Sequence, residues 1–291
     1  GQIYRSTDGV AFADVSPTGL HLNNSIIGSL AAHGTYFYLG TRNGVSGAEI
    51  WRTTMGDAPS VWVQVSTQGF GNPGNTAVSY LKSWEGALYA GTTDNTNGGR
   101  IYRSLNGTAW NLVADSVTFA TANNRDIVAL EDFNGALYAL TNNPTNGAQI
   151  WRTTNGTSWT KVALPGGDGF GLIANQEFHA AQTAFGQFWV GVWNDLVGAQ
   201  VWRATNPLTG PWTQSMNGGW GTSNNKAAFT QGSGLFKGQL YYGSFNAAQG
   251  AEIWNAGPPK AITNLTALAA PGTDGKIDLS WTSPDVLWAG S

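Results

Sequence analysis

The stretch from Gly147 to Val162 constrains this chain more than any other, because it recurs. It reads as a strand (Gln149 to Thr153), a polar turn at Asn155-Gly156, and a second strand anchored by Trp159 and Val162. Asn-Gly between apolar aromatic runs is a strong hairpin signal, since both residues accept the positive φ of a tight, twisted turn. The first strand returns with its aromatic at Tyr4, Trp51, Tyr102, Trp151, Trp202 and Trp254, at spacings of 47, 51, 49, 51 and 52. Arg follows at Arg5, Arg52, Arg103, Arg152 and Arg203, and Asn255 follows the sixth. The second strand is anchored by Phe12, Trp62, Trp110, Trp159 and Trp212.

Two more strands precede each hairpin. The first covers Ile26 to Ala32, Val78 to Trp84, Ile127 to Phe133, Phe178 to Phe185 and Ser233 to Phe236. The second covers Tyr36 to Gly40, Leu88 to Gly91, Leu137 to Leu140, Phe188 to Gly191 and Leu240 to Gly243. Four short strands in a period near 50 are the signature of a β-propeller. The expectation is all-β: a five-bladed propeller over residues 1–257, with blades of four strands called A to D from the axis outwards. Six C strands compete for five places. The simplest closure pairs the N-terminal D strand, Phe12 to Val15, with the A and B strands of the last repeat, leaving no free sheet edge. A less favoured alternative is a longer array cut at residue 1.

Composition agrees. Charged residues are 11%, while Gly numbers 40 and Trp 14 in 291 residues, which suits an all-β chain with many turns. Hydrophobic residues at 41% and a net charge of −3 argue against disorder. With 14 basic against 17 acidic residues there is no footprint for nucleic acid. The chain has no cysteine, which excludes disulfides and thiolate catalysis. No apolar run approaches the roughly 18 residues that span a membrane. The start at Gly1, without Met or a signal-peptide pattern, suggests a processed form or a fragment.

Ser6-Thr7-Asp8-Gly9-Val10-Ala11-Phe12 after strand C resembles the Asp-box of sialidase-type propellers. Asn106 and Asn155 stand at the Asp position in later repeats, and the boxes around Met55-Gly56-Asp57 and Asn206-Pro207 are degenerate. The wider unit is similar to repeats of secreted bacterial and archaeal proteins. The resemblance implies that the boxes are structural turns on the face opposite the ligand side, and that the protein is extracellular or at the cell surface. Pro258 to Ala267 and Lys276 to Trp281 resemble the first two strands of a fibronectin type III domain, so 258–291 reads as a truncated domain. Such a stub is expected to pack on its own propeller or to self-associate with a second chain.

In a propeller the D-to-A and B-to-C loops share one face. The D-to-A loops repeat an apolar residue (Leu20, Phe70, Phe119, Phe170, Trp220) and then Asn (Asn24, Asn75, Asn124, Asn175, Asn225). The B-to-C hairpins carry Asn43, Asp94, Asn143, Asn194 and Asn246. Two readings stay open. The amides cap loop backbone, or they bind sugar hydroxyls beside a stacking ring. Calcium is a further possibility, disfavoured because amides outnumber carboxylates. The repeated Arg reads as structural. Asp126 and Glu177 occupy equivalent positions in adjacent repeats, where the others have Ile26, Ala77 and Ala227. They form the one enzyme-like constellation, of the kind in which two carboxylates meet at a glycosidase funnel. His21, His33 and His179 share no metal-ligand spacing. Trp84 and Trp193 break the repeat and read as blade packing or as exposed stacking residues.

The expectation is therefore no enzyme and no cofactor: a non-catalytic extracellular module whose partner is a glycan or another surface protein. Surface-layer or filament assembly and a glycoside hydrolase using Asp126 and Glu177 are the alternatives.

Overall fold

The computed structural model describes residues 2–17, 20–54, 61–257, 266–269, 277–280 and 288–290. It begins with a short hairpin, β1 (Tyr4–Arg5) and β2 (Ala13–Asp14). The first blade follows as β3 (Ile26–His33), β4 (Tyr36–Arg42), β5 (Ile50–Thr54) and β6 (Val63–Gln64). The second holds β7 (Ala77–Trp84), β8 (Ala87–Thr93), β9 (Ile101–Ser104) and β10 (Asn111–Ala114). The third holds β11 (Asp126–Phe133), β12 (Ala136–Asn142), β13 (Ile150–Thr153) and β14 (Thr160–Lys161). The fourth holds β15 (Asn175–Ala184), β16 (Gln187–Asn194), β17 (Gln200–Ala204) and β18 (Trp212–Met216). In each, consecutive strands pair antiparallel. These units are the blades of a β-propeller, as the period implies.

The last unit contains β19 (Ala227–Phe236), β20 (Gln239–Phe245) and β21 (Ile253–Ala256). Strands β22 (Thr266–Ala269) and β23 (Ile277–Ser280) pair with each other. The remainder of 258–291, apart from 288–290, lies outside the described residues. The outer edge of the fifth blade is taken by β24 (Trp288–Gly290), with Trp254 opposite Gly290. This corrects the expected closure: β2 pairs with β1 and not with the fifth blade. The reason is side-chain docking. Ile3 packs against Leu39, Trp51 and Trp62, and the Trp62 indole donates to the Val15 carbonyl at 2.7 Å. Trp110 donates in the same way to Val65 of the blade before it, at 3.1 Å. The first hairpin thus sits before the first blade as the outer half of a preceding one.

Blades pack through apolar faces because strands covered on both sides alternate two buried sets. Tyr38 and Ile50 of the first blade meet Val78, Leu81 and Leu88 of the second. Tyr89 and Ile101 meet Ile127, Leu130 and Leu137 of the third, and the pattern repeats onwards. The repeated arginines cover strand-B aromatics: Arg52 lies over Tyr36 at 4.2 Å and Arg203 over Trp189 at 5.4 Å. The C-to-D turns close on their own Asp or Asn. Asp8 accepts from the Val10 and Ala11 amides, and Asn106 and Asn155 do the same two and three residues on. The degenerate Met55-Gly56-Asp57 box lies outside the described residues. Among the described residues, no helix is long and apolar enough to cross a membrane.

One row of residues crosses the inner strands without a break: Ile26, Arg42, Ala77, Thr93, Asp126, Asn142, Glu177 and Trp193 are successive register partners. Directly opposed residues project from the same side of a sheet. The row therefore lines up at the end of the blades where D-to-A and B-to-C loops gather.

Candidate active site

The row rims a cavity of about 710 Å³ that Arg42, Ser79, Lys82, Asp126, Glu177 and His179 help to line. Asp126 Oδ1 is buried without a hydrogen-bond partner. The neighbouring Ser79 and Thr93 hydroxyls are bonded to each other at 2.8 Å. Burial dominates and pushes the Asp126 carboxyl up to about 6, against the opposing pull of Ser79 and Thr93; Glu177 raises it further and Arg42 lowers it.

Glu177 is treated differently by its surroundings. Burial alone would raise it, but His179 and Asn142 reverse the direction and hold it below the usual carboxylate range. His179 Nδ1 meets Oε1 at 2.5 Å, and Asn142 Nδ2 donates to Oε2 at 2.5 Å. His179 in turn contacts the Trp193 ring, which stacks on Phe245 at 5.1 Å. The site thus pairs a carboxyl that holds its proton up to a pH of about 6 with a carboxylate that ionises below the usual range. That is how one site supplies an acid and a base at one pH. Deeper in the cavity, Lys82 binds Glu131 at 2.9 Å and Asp132 at 2.7 Å, tying two blades together.

The amide rings have another place. Asn43, Asn75, Asn124, Asn143, Asn175, Asn194, Asn225 and Asn246 are buried, as is Asp94, and Asn24 is half-buried. Asn175 donates to the Gly169 carbonyl and to Gln200, and accepts from Asn194. Asn225 and Asn75 donate likewise to Gly219 and Gly69, and Asn124 bonds Gln149 and Asn143. Asn24 joins Glu49 and Asn43; Asn246 caps its own hairpin at Ala248 and Gln249. Asp94 holds Arg100 at 2.9 Å. The repeated apolar residues stack inside: Phe70 on Tyr102, Phe170 on Trp202, Trp220 on Trp254, and Phe119 against Trp151. Of the two sequence readings, the geometry matches loop capping. The amide groups face each other, so their donors and acceptors do not point at the open cavity.

The structure brings together Asp126 and Glu177 and adds Arg42, Asn142 and His179, which sequence reading did not join to them. Strand register was the missing signal for Arg42 and Asn142. Trp84 is buried, whereas Trp193 is half-buried beside Glu177. Among the described residues, no group of three or more His, Asp and Glu side chains is placed to hold a metal ion.

No family model and no curated protein matches the chain. Solved structures do. Sqt1 from Saccharomyces cerevisiae is 12% identical, with 97% of this chain and 76% of that one covered and a TM-score of 0.54. An ancestral GH74 enzyme is 12% identical over 93% of this chain and 42% of its own, with a TM-score of 0.53. A GH43 endo-arabinanase from Bacillus licheniformis is 15% identical over 81% and 94%, with a TM-score of 0.43. At such identities the likeness speaks to fold. The expectation of a non-enzyme is corrected as far as fold goes, because an enzyme, the ancestral GH74 one, shares it at a TM-score of 0.53.

Proposed function

We propose that the chain hydrolyses glycosidic bonds at this cavity, with Asp126 as proton donor and Glu177 as the ionised partner. One observation carries the proposal: the two carboxyls face one cavity, one register partner apart, with their pKa values driven in opposite directions. Two interstrand steps put the Cα atoms ~10 Å apart. Glu177 would act as the nucleophile or as the base that activates a water, and the anomer of the product tells which. Asp126 would give its proton to the leaving oxygen as the carbon–oxygen bond breaks. The His179 imidazole and the Asn142 amide orient Glu177. The Trp193–Phe245 stack, with Phe245 41% exposed, suits the apolar face of a sugar ring. A polymeric glycan met outside the cell or at its surface is the matching substrate class.

The test is reducing-end release from a panel of arabinan, xylan and glucan oligosaccharides, with the anomer of the first product read by NMR. Asp126→Asn and Glu177→Gln should each lower turnover by about 10²–10⁴-fold. Turnover that survives both changes would rule the pair out.

A further inference from the structure

The rim of the cavity is where the repeat stops repeating. At the level of the row, the five B strands present Arg42, Thr93, Asn142, Trp193 and Phe245. One residue further on, all five carry Asn or Asp, in Asn43, Asp94, Asn143, Asn194 and Asn246. What the fold needs recurs, as those buried side chains do; a position that changes from blade to blade is free to serve a ligand. Arg42 is the one charged member of the varying set. Its side chain is exposed on the cavity wall, and its guanidinium has no hydrogen-bond or ion-pair partner among the described residues. The other basic side chains of the wall are matched. Lys82 lies between Glu131 and Asp132, and His179 is bonded to Glu177. The arginines that follow the strand-C aromatics are occupied as well: Arg52 lies over Tyr36, and Arg103 donates to the Tyr89 hydroxyl at 3.0 Å.

Register gives Arg42 a place relative to the two carboxyls. Arg42 pairs with Ala77, Ala77 with Thr93, Thr93 with Asp126, Asp126 with Asn142, and Asn142 with Glu177. Asp126 thus stands between Glu177 and Arg42. The group that attacks the sugar and the group that protonates the leaving oxygen flank the bond being cut. On the assignment of Asp126 as proton donor, on which this inference rests, the leaving sugar lies on the Asp126 side of that bond. Arg42 lies further along the same side, and its charge is felt at the Asp126 carboxyl. The Trp193–Phe245 stack lies on the opposite side, since Trp193 is the register partner of Glu177 that follows it in the row. Ala77, beside Arg42, stops at Cβ and leaves room next to the guanidinium.

We infer that the leaving-group side of the cavity takes an acidic sugar, with the carboxylate of a hexuronic acid paired to Arg42. A guanidinium matches a carboxylate with two parallel N–H···O bonds, and such a fork fixes the orientation of the ring that carries it. A pair formed on a cavity wall is also screened less than one in open water. Arg42 reaches no reacting atom, so it selects the sugar and leaves the bond-breaking to Asp126 and Glu177. A neutral sugar at the same place forgoes the contact.

The test uses oligosaccharides of galacturonate and of glucuronate, each as the free acid and as its methyl ester, which keeps the ring and loses the charge. Calorimetry at pH 5 reads their binding to the full chain carrying Asp126→Asn, which slows cleavage. Product analysis reads their cleavage by the parent chain. At least one acid should bind tighter than its ester by about tenfold or more, and raised salt should narrow the gap. With Arg42→Gln added, acid and ester should bind alike, and Arg42→Lys should restore part of the difference. Acids that bind no tighter than their esters would overturn the inference, as would a preference that survives Arg42→Gln. The acidic site and the proposed reaction fail separately. Charge-dependent binding that needs Arg42, with no oligosaccharide cleaved, would uphold the site and remove the reaction. Cleavage of neutral oligosaccharides with no preference for acids would uphold the reaction and remove the site.

Discussion

Asp126 and Glu177 are both register partners of Asn142, one on each side of it, and the Asn142 amide is bonded to Glu177. The two carboxyls thus sit on neighbouring blades yet share one short ladder. Their environments differ in what they offer a negative charge. Asp126 is half-buried, with its Oδ1 buried beside hydroxyls that are bonded to each other, and its carboxyl is raised to about 6. Glu177 is half-buried as well, but His179 and Asn142 outweigh that burial and lower it. Activity should therefore be bell-shaped in pH. It rises as Glu177 ionises, below the usual carboxylate range, and falls as Asp126 loses its proton near 6. A pH profile of kcat/KM checks this, and the falling limb should vanish in an Asp126→Asn variant measured on a substrate with an activated leaving group, which needs no proton donor.

The same shift has a consequence for stability. A carboxyl whose folded pKa lies above its unfolded value binds its proton more tightly when folded. Its favourable contribution is complete below about 3.8 and is lost as pH rises through about 6. At neutral pH the native state carries an ill-solvated charge. Asp126→Asn should therefore stabilise the chain at pH 7, by up to about 3 kcal/mol, and change little at pH 4. Urea denaturation at the two pH values measures the difference. Equal effects at both would show that Asp126 is not protonated preferentially in the native state.

His179 is the lever on the other limb. Its Nδ1 contact is what most opposes the burial of Glu177. His179→Ala should raise the Glu177 pKa and carry the acid limb of the pH profile upward. The alkaline limb, set by Asp126, should stay in place. If both limbs move together, His179 acts on the whole cavity and not on Glu177.

The propeller was legible in the chain because its period repeats a local pattern: aromatic strand, Asn-Gly or Asp-Gly turn, anchoring Trp. Each blade makes the same contacts with the next, so local pattern and tertiary packing agree. The closure was not legible. It depends on which face Ile3 and Val15 meet, and a two-residue strand carries no pattern that chooses between neighbours. The paired acids stood out because Asp126 and Glu177 replace Ile26, Ala77 and Ala227 in the repeat. Their partner Asn142 did not, since cross-strand register is invisible in a linear sequence, whereas His179 stands two residues beyond Glu177 on the same strand and the alternation of a strand could have joined them. The repeated amides left two readings open in the sequence, and their buried mutual hydrogen bonds support the capping one. Repetition marks a residue needed in every blade, and what every blade needs is a satisfied loop.

That reading of the amides is measurable. Asn175 places both amide protons and its carbonyl oxygen on Gly169, Gln200 and Asn194 in a fully buried position. Removing it takes the acceptor from the Asn194 amide, whereas the Gly169 carbonyl keeps the Leu172 amide and Gln200 keeps the Trp202 indole, so the cost is that of about one unsatisfied buried group, about 1–3 kcal/mol. Asn175→Ala should lower stability by about 1–3 kcal/mol in urea denaturation. A near-neutral Asn175→Ala that still abolishes oligosaccharide binding would instead place this amide at a ligand.

Trp193 gives the last prediction. It is the register partner of Glu177, contacts His179, and stacks on Phe245, which stands 41% exposed. A ring at that place can hold the flat apolar face of a sugar next to the bond being cut, but it reaches no reacting atom. Truncating it should weaken substrate binding more than chemistry. Phe245→Ala should raise KM about fivefold to tenfold, near 1 kcal/mol, with kcat within about threefold of the parent. Trp193→Ala should do the same and also loosen His179, so it should shift the acid limb of the pH profile where Phe245→Ala does not. Steady-state kinetics of both variants across pH separate the two roles, and a KM unchanged in Phe245→Ala would remove the stack from the substrate's path.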